Sequence, residues 1–274
     1  MTVGTAVLQG TRLLEEAAVD SPRLTAEVLL CYAMRVERAW LYAHPERELS
    51  EVEWLHYGRY LHERLQGKPT QYITGRQEFY GREFRVTPDA LIPRHETEHV
   101  VEAVLHMSLK PRRLLDVGTG SGALAVTLAL ETGAQAWATD LSPAAVAVAA
   151  ANAGRLGAAV AFVACDLMAA IAGGTMDLVV SNPPYVPAGQ RHGLQKEVRD
   201  WEPHLALFGG ETGFELYDRI IEEAPRVLRP GGWLVMELGF GCVEIVAALL
   251  SGWHNVRVDP DLAGIPRVIA ARRG

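Results

Sequence analysis

The stretch Leu114-Leu115-Asp116-Val117-Gly118-Thr119-Gly120-Ser121-Gly122-Ala123 decides the fold. Its first four residues suit a buried strand, and the residues from Ala123 suit a helix running to Leu130. Between them glycine recurs at every second position, where the chain can turn tightly and a ligand can approach the backbone closely. Taken alone the pattern is ambiguous. Gly118-x-Gly120-x-x-Ala123 also satisfies the dinucleotide-binding fingerprint, and a plain strand-to-helix turn uses the same residues.

Reading outward, strand-like runs follow at 136–139, 160–164, 178–181, 233–237, 256–258 and 268–271. Helix-like runs at 143–156, 213–228 and 243–250 lie among them, the pattern of a doubly wound α/β sheet, which binds ligands beyond the carboxyl ends of its strands. Upstream the character changes. Residues 1–70 read as a smaller helical domain, with Leu8, Leu13 and Leu14 on one apolar stripe, Asp20 or Ser21 capping a helix that opens at Pro22, and Ser50 with Glu53 forming a capping box. Residues 71–94 are aromatic and β-branched with interspersed glycines and read as a β-hairpin linker. A helix over 96–107 then opens the α/β domain, 95–274.

Composition narrows the function. The chain has 274 residues, 49% of them hydrophobic, which is ordinary for a folded protein. Its 26 Lys and Arg against 33 Asp and Glu give a net charge of −7, a balance that disfavours nonspecific gripping of a phosphate backbone. Cys31, Cys165 and Cys242 show neither disulfide nor metal-ligand spacing and read as three buried thiols in a reducing compartment. Neither a secretory leader nor an apolar run of membrane-spanning length is evident, so the expected location is the cytoplasm, with no membrane partner and no metal.

Two acidic residues sharpen the glycine loop. Asp140 ends the second strand of the α/β domain, where a carboxylate can accept hydrogen bonds from ribose hydroxyls. Asp166 follows the third strand and could accept from an adenine amino group, although either aspartate could equally cap a helix. Asp116, just before the loop, places a carboxylate where a positively charged ligand would be favoured over a pyrophosphate. S-adenosylmethionine, with its sulfonium and α-amino group, is therefore preferred to NAD.

The most specific feature lies at the end of the fourth strand: Ser181-Asn182-Pro183-Pro184-Tyr185. Consecutive prolines fix φ, remove two N–H donors and push the residue before each towards an extended conformation. The Asn182 side-chain oxygen and the Pro183 carbonyl can then accept both protons of a planar NH₂ group, with Tyr185 stacked on its plane. Such a nitrogen is a poor nucleophile because its lone pair is delocalised. Orienting it and stabilising its developing positive charge are the help it needs. The bland alternative is a proline turn.

Together, Asp-x-Gly-x-Gly-x-Gly and Asn-Pro-Pro-Tyr resemble class I methyltransferases acting on planar amino groups. Gln71 to Gly75, Glu78 to Gly81, Ile92-Pro93-Arg94-His95-Glu96-Thr97-Glu98, Glu202-Pro203 with Gly209-Gly210, and Asp261-x-x-Gly264-x-x-Arg267 are similar to segments of the release factor glutamine methyltransferase family, PrmC/HemK. The resemblance implies a Rossmann-like seven-stranded methyltransferase sheet and a helical N-terminal domain that contacts the substrate. It implies S-adenosylmethionine held by Asp116, Gly118, Thr119, Gly120, Ser121, Gly122, Asp140, Asp166, Leu167 and Asn182. It also implies that Asn182, Pro183, Pro184 and Tyr185 clasp the glutamine of a Gly-Gly-Gln loop in class I peptide chain release factors, with Asn182, Pro183 and Tyr185 carrying catalysis. The chain departs from the family at His95, usually proline, and at Glu237 to Cys242, which lacks a frequent glutamine; neither departure is expected to touch the chemistry. Competing readings are a glutamine methyltransferase for a ribosomal protein, a nucleic-acid amino-group methyltransferase, a NAD-linked oxidoreductase and a noncatalytic cofactor-binding module.

Overall fold

The computed structural model describes residues 1–107 and 109–274. The chain divides into two compact units, Met1–Gly75 with Gln195–Trp201, and Arg76–Leu194 with Glu202–Gly274.

The first unit is helical, with Val3–Glu16, Pro22–Met34, Arg38–Ala43, Glu51–Leu65 and Thr70–Thr74 in succession. Helical periodicity puts Val3, Ala6, Gly10 and Leu14 of the first helix in the core. Leu8 and Leu13 turn outward instead, 71% and 45% exposed, so only Leu14 of the expected stripe is buried. Ser21 does precede the Pro22 helix, but it sits at φ 49° and its side chain makes no capping bond. A capping side chain reaches the second or third helical amide from a β-region backbone, and the left-handed φ of Ser21 removes that geometry. The Ser50–Glu53 capping box is present. Arg47 donates to both Glu53 oxygens, at 2.7 and 3.0 Å, and this pairing draws the Glu53 carboxyl down to about 2. The short Lys196–Trp201 helix belongs to this unit because buried Arg64 pairs with Glu197 at 2.5 Å and Gln195 donates to Asp20 at 3.1 Å.

The hairpin differs from its expected extent of 71–94. Residues Thr70–Thr74 form a helical turn that buries Tyr72, Ile73 and Thr74 and is closed by Gly75 at φ 73°. The hairpin pairs only Arg76–Phe79 with Arg82–Arg85, across Tyr80 and Gly81, both at positive φ. It is part of the second unit's core, because Phe79 and Phe84 are fully buried there, ring edge to ring face. Aromatic composition signalled an extended pair but not where it would be buried.

The second unit is built on a seven-stranded sheet ordered His254–Pro260, Pro266–Arg272, Leu228–Glu237, Met176–Ser181, Arg113–Val117, Gln135–Asp140 and Val160–Ala164. The last five run parallel, and Pro266–Arg272 returns antiparallel. Strand alternation sends Leu114, Leu178, Val180 and Val235 to one face, against Val100, Val104 and Leu124 from the helices there. Leu115, Val117, Val179, Leu234 and Met236 face the other way, against Tyr217, Ile220 and Val246. Cys31 and Cys242 are buried as expected, but Cys165 is half-buried, at the turn beyond a strand end. Among the described residues, no helix is long and apolar enough to cross a membrane.

Candidate active site

Register builds the site. Val117 pairs with Thr139 on one side and Ser181 on the other, and Ser181 pairs with Met236. The next residue of each chain segment, Gly118, Asp140, Asn182 and Glu237, therefore emerges at one edge of the sheet. A cavity of about 630 Å³ opens there. Its wall includes Gly118, Gly120, Asp140, Asp166, Leu167, Asn182, Pro183 and Pro184, which joins the two motifs read from the sequence in one space.

The glycine loop is locked from behind. The amides of Gly118 and Thr119 both donate to the Thr139 carbonyl at 2.9 Å, and Gly122 donates to Thr119 at 2.8 Å. The Asp140 carboxylate accepts from the Gly120 amide at 2.9 Å and the Ser142 amide at 2.8 Å. Ser142 itself caps the Pro143–Leu156 helix, which leaves Asp140 on the cavity wall. A pyrophosphate at such a loop is held by free amides, and four of these amides are already engaged. A Cβ added at Gly118 or Gly120 would meet no protein atom within 4 Å, so these glycines leave open cavity where a side chain would stand. This donor set and open cradle fit a nucleoside with a small cationic tail, as in S-adenosylmethionine.

Several expected site residues lie behind the wall rather than on it. Asp116 is 1% exposed, beneath the loop; one of its oxygens accepts from the Thr119 hydroxyl at 2.6 Å and the Ala125 amide at 3.1 Å. Burial pushes its carboxyl up to about 7, offset in part by those two donors. Ser121 is buried, and its carbonyl accepts from Asn152. Thr119, Gly122 and Tyr185 also lie outside the lining of this cavity. Tyr185 packs against the Gly239 backbone, and burial raises its phenol to about 12.

Other features of the site carried no warning in the sequence. Arg219 lines the cavity and pairs with Asp166 at 2.7 Å, at the end where an adenine amino group was expected. Leu167 next to it is held at φ 42°, which a branched residue rarely adopts. Gly209 packs against the Pro184 carbonyl, so the Gly209-Gly210 pair is more than a turn before a helix. Thr97 accepts from the Asn182 side-chain NH₂ at 2.9 Å and donates to Glu237 at 2.5 Å. The Glu237 segment thus does reach the proposed chemistry, contrary to the sequence reading. His95 is exposed beside Glu98; with Glu78 it forms a surface trio whose side chains also brace the hairpin amides of Tyr80 and Gly81.

Residues 5–75 match the family model described as PrmC N-terminal domain, and residues 97–198 match methyltransferase small domain. A release factor glutamine methyltransferase from Koribacter versatilis is 46% identical over 100% of this chain and 99% of its own length. The chain belongs to the release factor glutamine methyltransferase family. Another relative of that name, from Nitratidesulfovibrio vulgaris, is 45% identical over 95% of this chain and 91% of its own. Among solved structures, a methyltransferase from Pyrococcus furiosus superposes with a TM-score of 0.52 at 17% identity, over 71% of this chain and 90% of that one. The catalytic domain of hMettl16, in complex with a hairpin of the MAT2A 3′UTR, reaches 0.55 at 18% identity over 84% of each chain. These likenesses establish the Rossmann-like methyltransferase fold. It is the full-length relatives that place the chain in the glutamine methyltransferase family.

Proposed function

We propose that this protein transfers a methyl group from S-adenosylmethionine to the side-chain amide nitrogen of the glutamine in the Gly-Gly-Gln motif of class I peptide chain release factors. The observation that carries the reading is the adjacency of Asn182-Pro183-Pro184 to the glycine loop in one cavity, in a chain of this family. When bound, the cofactor supplies a methyl group activated by a sulfonium. Gly118, Gly120 and Asp140 hold its polar parts, with Asp166 and Leu167 at the adenine. Asp116, Thr119, Ser121 and Gly122 keep the loop in shape from behind.

Asn182 and the Pro183 carbonyl accept the two amide protons of the glutamine. They fix the plane of its nitrogen and stabilise the positive charge that develops there. Asn182 and Pro183 are the groups assigned to catalysis; Tyr185, expected with them from the sequence, lies outside the cavity lining and packs on the Gly239 backbone, so it supports the clasp that Pro184 completes. No general base is needed, because the alkylated nitrogen is acidic and loses its proton readily. The helical unit is assigned to the body of the release factor, and the place of action to the cytoplasm.

The test incubates the protein with labelled S-adenosylmethionine and its host's release factor, either wild type or with the loop glutamine changed to alanine. Label in the wild-type factor alone is expected. Label in both, or in neither, overturns the reading, and label in a ribosomal protein instead would redirect it.

A further inference from the structure

We propose that Thr97 and Glu237 act as a positioning relay that sets which end of the Asn182 amide faces the cavity. The inference rests on the methyl-transfer reading above and deepens it. Asn182 lines the cavity, whereas Thr97 is 5% and Glu237 2% exposed. The Asn182 Nδ2 donates to Thr97 Oγ1 at 2.9 Å, and Thr97 Oγ1 donates to Glu237 Oε2 at 2.5 Å.

Proton counting gives this chain one direction. An ionised carboxylate only accepts, so it takes the single hydroxyl proton of Thr97. The Thr97 oxygen then has only lone pairs to offer and must meet a donor. Asn182 therefore turns its NH₂ towards Thr97, which leaves Oδ1 as the end available to the cavity. That is the end an incoming amide N–H requires. Turned the other way, Asn182 would present its own NH₂ to the substrate's NH₂, donor against donor.

The rest of the shell holds Glu237 still without consuming its carboxylate. The Tyr217 hydroxyl donates to the Glu237 backbone carbonyl at 2.9 Å and accepts from the Gly239 amide at 3.1 Å. The charged and titratable groups that act on the carboxylate include Glu96, Arg94, Arg267, Tyr185 and Tyr217. Both arginines have carboxylate partners of their own, Arg94 with Glu202 at 2.5 Å and Arg267 with Asp261 at 2.9 Å. Burial is thus the dominant influence and raises Glu237 to about 7. A protonated Glu237 can donate to Thr97, which frees the hydroxyl proton to point at Asn182 and reverses the chain.

The experiment compares wild type, Thr97→Ser, Thr97→Val and Glu237→Gln in the full chain, with thermal unfolding to verify that each variant folds. Thr97→Val should lower kcat about 10- to 100-fold through loss of orientation at the reacting centre, with cofactor Kd by calorimetry held within about twofold. Thr97→Ser should restore turnover. Wild-type kcat should fall as pH drops through about 7, and Glu237→Gln should flatten that fall. Hydrogen exchange of the Asn182 side-chain NH₂, read by NMR, should be slow in wild type and Thr97→Ser and fast in Thr97→Val. Normal kcat in Thr97→Val, parallel loss of cofactor affinity, or fast exchange in wild type would overturn the relay. If the wild type fails to label the release factor at all, the functional reading falls, and the exchange measurement still decides the relay.

Discussion

Substituting Gly209→Ala tests whether backbone contact, rather than side chains alone, holds the Asn-Pro-Pro-Tyr segment in place. A Cβ at Gly209 would lie 2.4 Å from the Pro184 carbonyl oxygen, 3.1 Å from its carbon and 2.9 Å from the Gly213 oxygen. All three obstacles are backbone, so no side chain can rotate aside. Restoring ordinary contact requires a movement of about 1 Å, and Pro184, locked by two consecutive proline rings, carries it into Pro183 and Asn182. A displacement of that size at a reacting centre is worth about 10²-fold in rate. Overpacking costs about 1–3 kcal/mol, and each kcal/mol lowers Tm by about 2–4 °C in a unit of this size. Steady-state methylation of the release factor, calorimetric cofactor binding and thermal unfolding read the three consequences. The expected result is a large loss of kcat with a lower Tm and a smaller change in cofactor Kd, because the added carbon meets Pro184 and Gly213 rather than the glycine loop or Asp140. Wild-type turnover at wild-type Tm would refute the reasoning. Gly58→Ala is the control: it sits inside the Glu51–Leu65 helix with nothing within 4 Å of the added carbon, so it should stabilise by about 0.5–1 kcal/mol.

Three further outcomes are expected. Asp140→Ala removes the carboxylate assigned to the ribose hydroxyls, along with the acceptor for the Gly120 and Ser142 amides; at about 1.5–3 kcal/mol per charged hydrogen bond lost to the cofactor, affinity should fall at least tenfold, and unchanged calorimetry would take Asp140 out of the site. Ser50→Ala should cost about 1 kcal/mol in chemical denaturation through loss of the cap on Glu53; an unchanged midpoint would show that Arg47 alone holds that helix start. The third concerns pH. Glu237 titrates near 7 in the folded chain against 4.5 as its ordinary value, so the folded state binds its proton more tightly. Its contribution is greatest below pH 4.5 and is lost as pH rises to about 7. Tm of the ligand-free protein should decline across that window and decline less in Glu237→Gln, with Asp116, which is shifted the same way, adding to the slope that remains. Equal slopes in the two proteins would contradict the burial argument.

The relay and the pH slope describe one cost. A carboxylate placed 2% exposed opposes folding as it ionises, and it is the ionised form that orients Asn182. A destabilising group retained at an active site is a familiar exchange of stability for function.

By itself, the sequence determined the local features. Alternation of strand and helix periods specified the parallel α/β architecture, because burial on both faces leaves a pattern that neighbours in the chain must obey. The glycine loop and the proline pair were legible because their constraint is on φ, which each residue carries alone. The Ser50 cap was legible because its partner lies three residues away. Tertiary structure decided everything that depends on residues meeting across the fold. Thr97 and Glu237 are 140 positions apart, and no spacing rule connects them. Gly209 looks like any turn glycine until Pro184 is set against it. Asp116 and Asp140 both stand beside the strand ends, yet one is sealed under the loop and the other faces the cavity. Such differences arise from which side of a strand a carboxylate leaves and what packs over it, and those are settled only when the sheet closes.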